Sequence, residues 1–267
     1  VHKIAFQIGS FAVPWFGLLV ATGFMGGLWL ASRRAVRDRI NPETIFDLGP
    51  WLMVGTLVGA RFVYVVTYWK ENFAHEPLTE IFMIRHGGIV FYGGFIGASL
   101  AGILFAWRKH LPVWRLADIL APSIALGSSI GRWGCLMNGC CYGKPTTLPW
   151  GIQFPVGHET YPNYVHPTEI YDSFLNLALY GFLAWLYRRK KFDGQVFAAY
   201  MIGYALLRSF VEIFRGDYTP VHYLGPLTPG QLMSIGIIIV GIILLFVLSR
   251  RKVEPVEMIK PPLAEKV

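Results

Sequence analysis

Stretches of about twenty apolar residues, separated by short basic loops, limit the folds open to this chain more than any other feature. A helix of roughly 20 residues crosses the hydrocarbon of a bilayer. Seven such stretches can be drawn: Val13–Ser32, Phe46–Tyr68, Gly87–Trp107, Trp114–Cys135, Pro167–Tyr187, Gly194–Phe214 and Thr228–Ser249. Charged residues make up only 15% of the chain and hydrophobic ones 54%, whereas a soluble domain carries about 25% charged residues. The expected fold class is therefore an all-α integral membrane protein of about seven transmembrane helices, with re-entrant or loop elements on the outer face. Residues 1–252 form the expected single polytopic domain. Residues 253–267, polar and proline-bearing, read as a disordered cytoplasmic tail. The first stretch lacks a small-residue cleavage site and reads as a retained span.

The net charge of +8 does not point to nucleic acid, because the basic residues cluster between apolar blocks. Arg33, Arg34, Arg37 and Arg39 follow the first block, and Arg108, Lys109 and Arg115 follow the third. Arg188, Arg189, Lys190 and Lys191 follow the fifth, and Arg250, Arg251 and Lys252 follow the seventh. Alternate loops are poorer in Lys and Arg, which places the amino terminus outside and the carboxy terminus in the cytoplasm.

Ionisable residues inside spans normally face a protein interior or a wet cavity. With this orientation Arg61, Arg132, Arg208 and Glu212 fall in the outer halves of their blocks, as do Tyr92, Glu169, Tyr171 and Gln231. Asn138, His166 and Arg215 sit at the outer boundary, whereas Asp47, Arg115 and Asp118 belong to inner ends. Polar groups from several helices thus converge at the depth of the outer headgroups.

In "YALLRSFVEIFR", Arg208, Glu212 and Arg215 stand at i, i+4 and i+7 on one helical stripe. The stripe fits either an intrahelical salt bridge or a pair of guanidinium forks that hold a phosphate. In "HGGIVFYGGFIGASLAG", Gly97 and Gly102 suit close helix packing, and the two Gly-Gly pairs suit a break or re-entrant start at the outer surface. Tyr92 would then turn its hydroxyl to the site. His166 opens "HPTEIYD", where Pro167 suits a first helical turn.

"GRWGCLMNGCCYG" brings Arg132 and Asn138 together with four glycines and all three cysteines, Cys135, Cys140 and Cys141. Glycine lets backbone approach a ligand or take positive φ. The thiols admit three readings: a disulfide on an oxidising side, a metal site, or free cysteines packed as small hydrophobes. Their spacing is not the paired Cys-x-x-Cys of a structural zinc site. No metal and no cofactor is expected.

Together these stretches resemble the prolipoprotein diacylglyceryl transferases of bacterial plasma membranes. The resemblance runs from "WFGLLVATGF" through "GARFVYV", "GGIVFYGGFIG", "GRWGCLMNGCCYG" and "HPTEIYDS" to "GYALLRSFVEIFR" and "GQLMSI". It implies a seven-span fold in the bacterial inner membrane, with the site opening outward. It also implies transfer of a diacylglyceryl group from phosphatidylglycerol to the lipobox cysteine of a prolipoprotein signal-peptide substrate, with release of glycerol phosphate. Arg132, Asn138 and Gly143 match the signature's arginine, second asparagine and closing glycine. Arg208, Glu212 and Arg215 match the later stripe.

The resemblance has departures. The best-known form has asparagine where Cys135 stands, glutamate where Cys140 stands, histidine at Tyr92 and tyrosine at Phe16, so that histidine is not the general base here. The expected catalytic set is Arg132, Arg208, Glu212, Tyr92 and His166. The expected phospholipid-binding set is Arg132, Asn138, Gly143, Arg208, Arg215 and Arg61. An anionic-lipid or solute transporter built on the same arginines is the alternative. A redox or metal protein would lose function when Cys140 and Cys141 become serine, whereas a transferase would tolerate that change.

Overall fold

The computed structural model describes residues 3–9, 11–73, 78–83, 87–217 and 227–250. The expected tail at 253–267, and part of the stretch between Lys70 and Arg85, lie outside the described residues. Seven α-helices overlap the seven apolar blocks: α1 (Trp15–Arg37), α2 (Pro42–Thr67), α3 (Phe91–Arg108), α4 (Val113–Asn138), α5 (Thr168–Tyr187), α6 (Gln195–Glu212) and α7 (Pro229–Ser249). Of these, α1, α2 and α7 are long and apolar enough to cross a membrane by length and composition. Large apolar side chains point outward along them, including Val58, Phe62 and Val66 on α2 and Ile239, Ile242 and Phe246 on α7. An exposed apolar surface of this extent belongs in lipid and not in water.

Two short hairpins were not expected. Strands β1 (Ile4–Ile8) and β2 (Phe11–Pro14) pair antiparallel ahead of α1. Trp15 N–H donates to Lys3 O at 3.0 Å and so ties the hairpin to the first turn of α1. Strands β3 (Ile152–Gln153) and β4 (Tyr164–Val165) pair in the segment between α4 and α5. There Tyr142, Phe154 and Val165 form a small separate core. The first helix also differs from its block: it starts after Pro14, which has no N–H to donate, and runs on through Arg33 and Arg34 to Arg37.

Helix α4 is central and packs on α1, α5 and α6, while α2 pairs with α3 and α6 with α7. The α2–α3 contact is built on glycine. A Cβ on Gly97 would overlap the carbonyl of Gly55, and one on Gly59 would overlap that of Gly93, so the two backbones touch directly. Gly93 therefore serves helix packing inside α3. Only Gly87 and Gly88, at φ +86° and +80°, make the break before that helix.

The main apolar core, with Ala31, Ile45, Leu48, Phe105, Ile119 and Leu183, lies toward one end of the bundle. A polar knot closes that end. Asp118, fully buried, accepts the N–H groups of Gly194 at 2.8 Å and Phe197 at 2.9 Å. It caps α6 from α4 and satisfies donors that the helix itself leaves open. Lys190 Nζ bonds Asp38 at 2.8 Å and Asp193 at 3.2 Å, and Arg115 holds Asp193 at 2.7 Å. Burial alone would lower the Lys190 pKa, but the surrounding carboxylates outweigh it and hold it above its ordinary value. Burial would raise Asp193, but Arg115 and Lys190 outweigh it and hold that carboxyl below its usual range.

Candidate active site

The opposite end of the bundle assembles the signature. Helix α4 stops at Gly139, which takes φ +74°. Gly139 N–H donates to Leu136 O at 3.2 Å and Cys140 N–H donates to Cys135 O at 3.1 Å. This is the two-bond stop in which glycine supplies the left-handed residue that other side chains resist. After it the chain is laced into its neighbours. Gly143 N–H donates to His166 O at 2.9 Å, Lys144 N–H to Phe214 O at 2.8 Å and Gly216 N–H to Tyr142 O at 3.1 Å. A Cβ on Gly143 would lie 2.5 Å from that of His166, so the glycine is there for close backbone approach.

Arg132 sits two turns before this stop. Its Nε pairs with Asp172 Oδ2 of α5 at 2.6 Å, and Asn176 Nδ2 donates to the other Asp172 oxygen at 2.6 Å. Only Nε is committed to the acid, so the terminal nitrogens keep donors for an anion. The Tyr204 phenol of α6 lies beside this guanidinium and within the field of Arg208, which stands one turn further along. Tyr204 is itself stacked on Tyr200, with ring centroids 5.8 Å apart. Helices α4, α5 and α6 thus bring Arg132, Asp172 and Arg208 around the Tyr204 phenol.

Arg208 Nη1 pairs with Glu212 Oε2 at 2.6 Å. Glu212 is held from α7: its Oε1 accepts from Thr228 Oγ1 at 3.2 Å, and it occupies the space a Cβ on Gly230 would take. Thr228 is also the N-cap of α7, in a reciprocal box with Gln231. The acid that orients Arg208 is therefore fixed by a helix start, where negative charge is favoured.

The other expected residues are placed differently. Arg61 is 8% exposed and spends all five N–H donors on backbone carbonyls: Ile81, Gly87, Gly88, Glu80 and Met83. It pins the segment between α2 and α3 and has no donor left for a phosphate. Arg215 is forked onto Asp217, with Nε–Oδ1 at 2.8 Å. Burial works against its charge, but Asp217 outweighs burial and holds the guanidinium above its ordinary pKa. Its charge is thus already matched by an acid. Asn138 is exposed and donates to Cys140 Sγ at 3.7 Å. His166 Nδ1 lies 3.2 Å from Tyr171 Oη, which accepts from Trp150 Nε1 at 2.8 Å. Tyr92 is 56% exposed, on the first turn of α3, a helix packed chiefly on α2.

Sequence reasoning singled out neither Tyr204 nor Asp217, and it gave Asp172 no partner. Tyr204 had a signal: it stands four residues before Arg208 and extends the same stripe. Beside the cluster, on the next face of α4, an apolar groove of 640 Å³ is lined by Trp15, Leu19, Trp133, Leu136, Met137 and the start of the β3 segment, Ile152 to Phe154.

The family model for prolipoprotein diacylglyceryl transferase matches residues 3–247. A phosphatidylglycerol–prolipoprotein diacylglyceryl transferase of Synechococcus elongatus is 39% identical over 89% of this chain and 84% of its own length. Proteins of the same name from Bacillus mycoides and Bacillus cereus are 41% and 40% identical, each over 94% of this chain and 93% of their own. The chain belongs to the prolipoprotein diacylglyceryl transferase family.

Proposed function

We propose that this protein is the enzyme that transfers the diacylglyceryl group of phosphatidylglycerol to the lipobox cysteine of prolipoproteins in the bacterial plasma membrane. The observation that carries the reading is the family match over residues 3–247. The arginines of two helices meeting at Tyr204 supply chemistry that suits it. The match does not favour the transporter alternative, because the named relatives are transferases.

All seven helices cross the bilayer in this proposal, with the amino terminus outside. The support is the recurrence of Lys and Arg at the carboxy-terminal ends of α1, α3, α5 and α7. The site then opens toward the outer leaflet. The terminal nitrogens of Arg132 and Arg208 grip the lipid phosphate, and the apolar groove beside α4 takes acyl-chain carbon. The lipobox sulfur attacks the glyceryl CH₂ bonded to the phosphate oxygen. A C–S bond forms as the C–O bond breaks, and the electron pair leaves on glycerol phosphate. Guanidinium donors aimed at that oxygen stabilise charge as it develops, usually the largest electrostatic contribution to such a step. Lowering a thiol pKa from about 8.5 by one unit near these charges requires about 1.4 kcal/mol. Either Tyr92 or His166 assists removal of the thiol proton, and Asp172 and Glu212 keep the two arginines aimed.

Purified protein incubated with phosphatidylglycerol and a lipobox peptide tests the reading by mass spectrometry. A thioether-linked diacylglyceryl gain on the peptide cysteine is the expected result. An unmodified peptide, with intact lipid and folded protein, would refute it.

A further inference from the structure

We propose that Cys135, Cys140 and Cys141 bind one thiophilic divalent metal ion of the zinc class, with the buried Glu169 carboxylate as a neighbouring charge and not a ligand. The stop at Gly139 creates the site. In that kind of helix end the residue after the glycine folds back onto the residue five positions earlier, which here brings Cys140 onto Cys135. Cys141 takes φ +69°, rare for a residue with a side chain, and its carbonyl accepts from Thr168 Oγ1 at 2.6 Å. The third thiol is thereby fixed against the start of α5. All three sulfurs lie within 4.8 Å of one another and none is in a disulfide. Thiolates bound at about 2.3 Å to one tetrahedral ion are roughly 3.8 Å apart, so closing on a metal takes only small side-chain shifts.

Glu169 supplies the independent observation. It is 1% exposed, and neither carboxylate oxygen has a hydrogen-bond partner among the described residues. It follows Thr168, whose Oγ1 holds the Cys141 carbonyl beside the start of α5. A buried carboxylate is costly, and a cation held by the nearby thiolates offsets part of that cost. Each thiol gives up its proton to solvent as the ion binds. The remaining negative charge faces Arg132 and Arg215, both within the field of Cys141. The spacing Cys-x₄-Cys-Cys hid this site, because the sequence reading looked for paired Cys-x-x-Cys and assigned no metal. The ion would clip the loop that carries Asn138 and Gly143 to the start of α5.

The test uses the full chain in detergent, reduced, stripped by chelator and titrated with cadmium. The expected result is a near-ultraviolet thiolate-to-cadmium band that saturates at one ion per chain and is abolished in Cys140→Ser/Cys141→Ser. In Glu169→Gln affinity falls by roughly tenfold, the low end for groups supporting a metal site. Should the double variant fail to fold, Cys135→Ser and Glu169→Gln carry the comparison. The proposal is overturned by no saturable band in the wild-type chain, by a band unchanged in the cysteine variants, or by a Cys135–Cys140 disulfide in protein isolated without reductant. Peptide lipidation is measured separately, so neither result decides the other.

Discussion

At the residue scale the site is two arginines held by acids that leave part of each guanidinium uncommitted. Arg132 is gripped through Nε alone and Arg208 through one Nη. A planar fork can keep such a tether and still present paired donors to phosphate, which lysine cannot do. Replacing Arg132 or Arg208 with alanine should lower kcat/KM for peptide lipidation by about 100-fold or more, the range for loss of a preorganised donor. Asp172→Ala should act first on stability. Breaking a mostly buried pair costs about 3 kcal/mol, so the thermal transition in detergent should fall, and unchanged stability would deny Asp172 its anchoring role. The Arg208–Glu212 pair of α6 was legible from spacing alone, but the helix ends at Glu212, so Arg215 stands beyond it and not on its stripe. The acid opposite Arg132 was not legible, because pairing across helices depends on how they rotate against one another, and a single sequence does not specify that; Asp217 stands only two residues beyond Arg215, in a local pair that sequence reasoning passed over. Arg61 shows the same limit: its place within an apolar helix was readable, but its five carbonyl partners were not.

At the scale of elements, helices were legible because apolar length is a strong signal, and each observed helix lies within a few residues of its block except at the end of α1. The hairpins escaped because strands of two to five residues carry no usable period. Gly93 was read as part of a surface break; its partner Gly59, which gives it a packing role, lies on another helix. Two outcomes follow for these elements. Gly97→Val should sharply reduce the yield of folded protein, since the added atoms meet the backbone of Gly55 and not a movable side chain. Arg61→Ala should leave several carbonyls unpaired and increase proteolytic nicking between residues 69 and 90. Lysine should rescue little, having three donors where arginine has five. Lost lipidation without increased nicking would instead give Arg61 a direct part in lipid binding.

Across the whole molecule the two ends of the bundle divide the work. One end is locked by Asp118, Lys190, Asp193 and Arg115, and the other carries groups with donors to spare. The lock has a pH signature. Asp193 titrates below its usual range in the folded chain, so its contribution is complete above about pH 4 and is lost as pH falls through the lowered value. Lys190 titrates above its ordinary value, so its contribution is complete below about pH 10 and is lost as pH rises through the raised one. Thermal stability should therefore have an acid limb that is shallower in Asp193→Asn, and an acid limb of unchanged slope in that variant would contradict the assignment.

The central claim is that guanidinium groups from two helices hold one lipid phosphate beside Tyr204. An experimental structure of the protein with phosphatidylglycerol bound tests it most directly. The account predicts the phosphate within hydrogen-bond reach of both Arg132 and Arg208, with acyl carbon in the groove lined by Trp15 and Leu136. A lipid phosphate bound elsewhere, with both arginines still facing only Asp172 and Glu212, would contradict it.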